Sequence, residues 1–515
     1  MIKTQHIIIA ALLAVSAFTG LTEAKPLEGM RPNIVYILCD DLGYGDVQCL
    51  NPERGKIATP HMDQLAAQGI IFTDAHTSSS VCTPTRYGIL MGRYNWRTHL
   101  QSGVLKGYSE SLIAADRLTV AGFLKAQGYA TACIGKWHLG MDMPFVNGKP
   151  KGKNPKNVQV DWKGIIKNGP VNMGFDYYYG IAASLDMPPY IYIENDRFVG
   201  EATSVKGFPA SIKGENIKTG AASEDFEAVD VLPEIGRKTV EYIRKQKEPF
   251  FAYVTLTSPH TPIVPSDEWK GRSEIGAYGD FVMQTDAIIG QIVDTVDAAG
   301  LRENTLIIVT SDNGCSKFAD IQSMKKQGHY PSAHLRGSKA DLWDGGHRVP
   351  FIMRWPEGIT VGSQSDQTIC LTDLMATCAD ILGTKLPETA GEDSVSFLPA
   401  LSGKPIVSSR AGIIHHSYTG HFAYRQGKWK LLLAKGSGGW SAPKEKDVPE
   451  GSPEAQLYDM ENDPGETTNL YASKPEVVQR LLMLLDADVQ RGRSTVGSDL
   501  ENDVKQINLW KSGRK

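Results

Sequence analysis

Four apolar runs in this chain end alike, each stopping abruptly at a cluster of polar, chemistry-bearing side chains. Asn33-Ile34-Val35-Tyr36-Ile37-Leu38-Cys39 runs into Asp40-Asp41, and Tyr129-Ala130-Thr131-Ala132-Cys133-Ile134 into Gly135-Lys136-Trp137-His138. Phe250-Phe251-Ala252-Tyr253-Val254-Thr255-Leu256 leads to Ser258-Pro259-His260, and Leu306-Ile307-Ile308-Val309 to Asp312-Asn313-Gly314. Strands without polar alternation are buried on both faces, which requires a mostly parallel sheet covered by helices. The sequence supplies those helices. Thr59-Pro60 opens one that Gly69 ends, Thr119 to Gln127 forms another that Gly128 ends, and Phe281 to Ala299 a third that Gly300 ends. Ligands of such sheets bind beyond the carboxyl ends of the strands, so four polar ends on one edge describe a catalytic rim on an α/β fold.

From about Ser402 the pattern changes to short strand-like runs such as Gly427-Lys428-Trp429-Lys430-Leu431-Leu432-Leu433. A turn at Asp463-Pro464-Gly465 and an amphipathic helix near Pro475 to Asp488 follow. This predicts a small C-terminal antiparallel α+β subdomain over 402–515, after a catalytic α/β domain over 25–401. Gly148 to Asn157, Gly200 to Ser223 and Lys435 to Ala455 are rich in Gly, Lys, Ser or Pro and are expected to be surface insertions.

Lys3, the apolar run Ile7 to Phe18 and Leu21-Thr22-Glu23-Ala24 have the layout of a secretory signal peptide, residues 1–24, with cleavage expected after Ala24. No cysteine follows that run and no later stretch is long and apolar enough to span a bilayer, so a periplasmic or secreted protein without a membrane anchor is expected. A formal charge of -4 provides no broad basic surface, which argues against nucleic acid as a partner. Seven scattered cysteines are too few for a disulfide framework in 515 residues. Their odd number fits either removal of one by modification or a set of free buried thiols.

Cys82-Thr83-Pro84-Thr85-Arg86 carries the strongest local chemistry. Pro84 is tolerated in a first helical turn, which places Cys82 at the positive end of a helix, and Arg86 one turn later can reach the same anion with its planar fork. Asp40, Asp41, Asp312 and Asn313 form an oxygen-only donor set, which favours Ca²⁺ or Mg²⁺ over zinc. Each pair alone would equally serve as turn or cap residues. Lys136 and His138, read as an extended segment, fall on one face, and His260 is fixed between Pro259 and Pro262.

The run through Tyr87-Gly88-Ile89-Leu90-Met91-Gly92-Arg93, together with these strand ends, resembles the type I sulfatases, whose signature is Cys-x-Pro-x-Arg followed by Leu/Met-x-Gly-Arg. The resemblance covers nearly the whole mature chain. It implies an alkaline-phosphatase-like fold and oxidation of Cys82 by a formylglycine-generating maturation enzyme to Cα-formylglycine, whose hydrated aldehyde is the nucleophile. It also implies one Ca²⁺ held by Asp40, Asp41, Asp312, Asn313 and the modified Cys82. Arg86 and Lys136 would stabilise charge, His138 would take a proton, His260 would donate one to the leaving alcohol, and Lys339 would bridge sulfate and leaving oxygen. Around Lys339 the sequence departs slightly from the family, with Ser338 in place of a glycine and Ala340-Asp341-Leu342 after it. The implied substrate is a sulfated carbohydrate or aryl sulfate, of the galactose or N-acetylgalactosamine 6-sulfate type. Asp186 and His347 are candidate readers of a sugar hydroxyl. The tyrosines of Phe175 to Tyr192 suit an ordinary β-hairpin better than a sugar platform. The rival functions are a phosphonate or phosphodiester hydrolase of the same superfamily and a non-catalytic carbohydrate-binding protein with an unmodified Cys82.

Overall fold

The computed structural model describes residues 27–149, 158–247 and 249–511. The expected signal peptide, 1–24, and most of the Gly148 to Asn157 insertion lie outside the described residues.

The apolar runs form the middle of a ten-stranded sheet. From one edge its strands are Ser363–Ser365, Ile70–Phe72, Phe351–Arg354, Thr305–Ser311, Asn33–Asp40, Phe250–Pro259, Ala130–Lys136, Tyr177–Ile181, Ile193–Glu194 and Arg197–Phe198. The four runs with polar ends are adjacent, and they pair in parallel with one another and with Tyr177–Ile181. Phe351–Arg354 is antiparallel to both of its neighbours.

Alternate residues of the central strand feed two cores. Ile34, Tyr36 and Leu38 enter one, whereas Val35, Ile37 and Cys39 enter the other, so both faces are covered and no polar alternation is possible. Register aligns the polar ends: Cys39 lies opposite Ser311 and Asp40 opposite Pro259, so Asp40-Asp41, Asp312-Asn313 and His260 emerge side by side.

The helix expected from Phe281 begins earlier and spans Ala277–Ala298. Gly276, at φ 88°, turns the chain into it, and Asp280 in its first turn accepts the Gly271 and Ser273 amides. The Gly200 to Ser223 insertion is not plain loop but contains the hairpin Ser204–Phe208 and Lys218–Ala222. The tyrosine-rich run contributes Tyr177–Ile181 to the main sheet, where it pairs in parallel on one side and antiparallel with Ile193–Glu194 on the other.

A second, four-stranded antiparallel sheet comprises Ile413–His416, Phe422–Gln426, Trp429–Leu432 and Gln456–Asp459. The helix Pro475–Gln490 packs on it. Among the described residues no helix is long and apolar enough to cross a membrane. None of the seven cysteines is joined in a disulfide.

Candidate active site

Cys82 begins the helix Cys82–Met91, whose ten residues are all buried and which ends at Gly92 in the left-handed region. Pro84 sits in the first turn, where its missing N–H breaks no intrahelical bond. Cys82 Sγ lies 3.7 Å from Asp40 Oδ1 and 3.5 Å from Lys339 Nζ. Burial pushes the thiol up to about 12, although Lys136 and Lys339 pull the other way.

Around this sulfur the charges are paired one to one. Lys136 Nζ donates to Asp40 Oδ2 at 2.6 Å, and Lys339 Nζ to Asp41 Oδ1 at 2.5 Å. Arg86 donates to Asp312 Oδ2 from Nε at 3.0 Å and Nη2 at 2.8 Å, and from Nη1 to the Lys136 carbonyl at 3.0 Å. Burial raises the Asp40 carboxyl, but Lys136, His260, Arg86 and Lys339 together outweigh it and hold it below the usual carboxylate range. Asp312 is raised, first by burial and then by the neighbouring Asp40 charge.

Two buried acceptors in this cluster have no partner: Asp41 Oδ2 and Asn313 Oδ1. Leaving such atoms desolvated and unpaired costs about 1–3 kcal/mol each, and both are hard oxygen donors. Asn313 Nδ2 meanwhile donates to Asp41 Oδ1 at 2.7 Å, fixing the two side chains against each other. Ligand atoms of Asp40, Asp41, Cys82 and His260 all fall within 4.8 Å of one another. The donor set therefore fits a hard divalent cation.

Lys339 is held by backbone bonds from both sides. Its own N–H donates to the Cys315 carbonyl at 3.0 Å, and the Ala340 N–H to the Ser80 carbonyl at 2.8 Å. The loop is thus tied both to the Asp312 strand end and to the residues leading into the Cys82 helix. The Ser338 departure is accommodated, since the Ser338 N–H caps Asp341 Oδ2 at 2.9 Å.

His260 Nδ1 meets the Thr261 carbonyl at 2.6 Å, and its Nε2 faces Asp41 Oδ2 at 3.8 Å. His138 reaches the site differently from the extended alternation expected. The strand ends at Lys136, and His138 has φ 56°. Gly135 lies so close to the next strand that a Cβ there would stand 1.9 Å from the Thr255 carbonyl oxygen. The strand runs on through Lys136, and the chain turns at His138 instead of continuing extended. His138 Nε2 bonds the Leu105 carbonyl at 3.0 Å and Nδ1 is unpartnered. Burial, then Lys136 and Arg86, hold it well below the ordinary histidine value, as a neutral base.

A cavity of about 470 Å³ opens above this cluster, lined at its floor by Cys82, His138, His260 and Lys339. Asp186 is on its wall and nearly buried, with Oδ1 unpartnered. His347 is not brought there. It is fully buried, stacked on His415 with ring centroids 3.8 Å apart, and accepts from Lys430 Nζ at 3.0 Å. The expectation that it reads a sugar hydroxyl is thereby corrected: the helix Asp344–His347 points it into the seam between the two sheets. Sequence reasoning missed other lining residues, including Tyr418 and Trp440, because these come from remote loops with no shared spacing.

A model of the sulfatase family matches residues 32–384. The chain is 34% identical over 493 residues to an N-acetylgalactosamine-6-O-sulfatase of Bacteroides thetaiotaomicron, covering 89% of this chain and 93% of the relative. It is 31% identical over 524 residues to arylsulfatase A of Homo sapiens, covering 94% and 93%. A solved structure described under the metabolism of multiple glycosaminoglycans by Bacteroides thetaiotaomicron superposes with a TM-score of 0.77 at 32% identity, covering 89% of this chain and 99% of that one. With relatives above 30% identity aligned over most of both chains, and a family match that spans the Cys82 centre, this chain belongs to the sulfatase family, the sulfuric ester hydrolases.

Proposed function

We propose that the enzyme hydrolyses carbohydrate sulfate esters of the galactose or N-acetylgalactosamine 6-sulfate type, with Cys82 converted to Cα-formylglycine and Ca²⁺ held by Asp40, Asp41, Asp312 and Asn313. The observation that carries this reading is Cys82 at the foot of an open cavity, beside two unpaired buried oxygens and three positively charged side chains. The sugar assignment is supported by the N-acetylgalactosamine-6-O-sulfatase relative.

When present, the cation polarises a sulfuryl oxygen and the oxidised Cys82 supplies the attacking hydroxyl. The remaining work falls to the chain's own side chains. Lys339, whose ammonium lies 3.5 Å from the sulfur of Cys82, stabilises negative charge on the sulfuryl and leaving oxygens. Lys136 and Arg86 hold the carboxylates of Asp40 and Asp312 in place. With its Nδ1–H donated to the Thr261 carbonyl, His260 presents Nε2 to the cavity, and in its doubly protonated form it delivers the Nε2 proton to the departing sugar oxygen. His138, neutral and with a free Nδ1, accepts a proton from the residue 82 side. Asp186 reads a sugar hydroxyl through its unpartnered oxygen.

The test is sulfate release from 6-sulfated N-acetylgalactosamine together with the mass of the peptide containing residue 82. Turnover by the wild type, an aldehyde mass and no turnover by a folded Cys82→Ala variant are expected. Normal release by Cys82→Ala would sink the assignment, and faster turnover of matched phosphate diesters would favour the phosphodiesterase rival.

A further inference from the structure

The sulfate-ester chemistry accounts for the cavity floor but not for its mouth. Three segments meet there, bringing Lys106, Asp186 and Lys218 to one cavity wall. Their spacing is set by contacts that leave no slack. A Cβ on Gly107 would stand 1.9 Å from the Pro188 carbonyl oxygen, and one on Gly220 would stand 2.3 Å from Pro188 Cβ. The Tyr190 hydroxyl donates to the Lys218 carbonyl at 2.5 Å, and its N–H to the Ala221 carbonyl at 2.8 Å. The segment carrying Asp186 is thereby clamped between the loop of Lys106 and the strand of Lys218.

Both lysines are exposed to the entrance. Among the described residues neither ammonium has a carboxylate within 4.0 Å. Lys106 is held below the ordinary lysine value, first by loss of surrounding water and further by Lys218, while Asp186 opposes the shift. Two unpaired cations that feel each other across a concave mouth concentrate positive potential there.

Another part of the same lining is aromatic. Trp440 contacts Phe318 and Tyr418 with ring centroids 5.4 Å and 5.2 Å away. Its N–H donates to Asp341 Oδ1 at 2.8 Å, which ties this wall to the loop that carries Lys339. In the same lining, Ser184 Oγ and Asp186 Oδ1 are buried and unpartnered. The lining thus combines aromatic rings, two hydroxyl-reading oxygens and a pair of free cations. A sulfate ester at the floor already meets Lys339, so it does not need them.

We infer that the mouth is a subsite for a second anionic group on the substrate, a carboxylate or a further sulfate, held by Lys106 and Lys218 while Trp440 packs against the sugar ring. This rests on the carbohydrate-sulfatase reading and narrows its substrate class to polyanionic saccharides. An exposed lysine pair of this kind contributes through steering and a longer-lived complex, so the effect is salt-dependent.

The experiment compares the full-length wild type with the Lys106→Gln/Lys218→Gln double variant. Four substrates are used: 6-sulfated N-acetylgalactosamine alone, the same unit linked to a neutral hexose, the same unit linked to a uronate, and a disulfated N-acetylgalactosamine. The ratio of kcat/KM for charged over neutral substrates should fall about tenfold in the double variant, mainly through KM, and the wild-type ratio should shrink as salt rises. A fall confined to the uronate substrate identifies the second group as a carboxylate, and one confined to the disulfated sugar identifies it as a sulfate. An unchanged ratio in a folded variant overturns the subsite while leaving the sulfatase reading intact. Failure of the wild type to release sulfate from any of the four saccharides overturns the carbohydrate reading, and the subsite with it.

Discussion

At the scale of single residues, the centre contains three buried carboxylates, Asp40, Asp41 and Asp312, matched by Lys136, Lys339 and Arg86. Asp41 Oδ2 and Asn313 Oδ1 are nevertheless left over, and a hard cation is the partner that would satisfy both. Stripping divalent ions should therefore abolish turnover, with Ca²⁺ restoring it better than Zn²⁺ and also raising the Tm through binding to the folded state. Full activity in a verified metal-free preparation would remove the cation from the mechanism. His260 can be tested by leaving-group dependence, because a general acid matters most where the departing oxygen is most basic. His260→Ala should lower kcat/KM on the sulfated sugar at least about 10²-fold more than on nitrophenyl sulfate. Equal losses on both would reassign His260 to binding the sulfuryl group.

At the scale of elements, the strand ends were the most legible part of the sequence. An apolar run buried on both faces leaves polar residues only one place to be, so Asp40-Asp41, Lys136, His260 and Asp312-Asn313 could be read onto one rim. What could not be read depended on contacts between remote segments. His138 is placed by a turn just past the strand, where its N–H donates to the Ala182 carbonyl at 3.0 Å. His347, which sits in sequence beside a glycine-rich loop near Lys339, is consumed by a buried contact with His415 about seventy residues on. The C-terminal helix Pro475–Gln490 shows another such effect. Its Asp488 is nearly buried and accepts from the Tyr424 hydroxyl at 3.1 Å. Burial, reinforced by the Asp393 charge, pushes its pKa up to about 7. A carboxyl raised in the folded state contributes most to stability below the unfolded value of about 4, and the contribution is lost as pH climbs through about 7. Asp488→Asn keeps the shape without the charge. It should raise Tm by about 1–3 °C at pH 8, with the gain shrinking towards pH 5; a constant offset across that range would show that Asp488 does not titrate there.

At the scale of the whole molecule, the two sheets are joined by a seam that belongs to both. Tyr94 and Trp96 from the catalytic part lie in one core with Ile414, Phe422 and Leu431 of the small sheet. Ser78 and Ser80 exchange backbone bonds with His416, each at 3.1 Å. Lys430 of the small sheet crosses to Asp344 at 2.6 Å and to Glu466 at 2.8 Å, with no solvent access. The tail returns as well, since Asp503 pairs with Arg93 at 3.0 Å and its N–H donates to the Arg97 carbonyl at 2.9 Å. Residues 77–82 run directly from this seam to the nucleophile, so the small sheet supports the position of Cys82 itself. A fragment ending at residue 401 would expose the Tyr94 and Trp96 core and strip Lys430 and Arg425 from Asp344. It should therefore show no cooperative unfolding transition and no sulfate release, and co-expression with 402–515 should recover both. A gentler version keeps the chain whole: Lys430→Met removes the buried cation shared by Asp344 and Glu466, leaving Asp344 with only the longer contacts to Arg348 at 3.5 Å and Arg425 at 3.8 Å, and should cost about 3 kcal/mol. Because the seam lies against the residues that lead into Cys82, the variant should lose activity at a temperature close to its lowered Tm rather than well below it. A 25–401 fragment that unfolds cooperatively and turns over normally would show instead that the catalytic sheet is an independent domain and the small sheet an appendage.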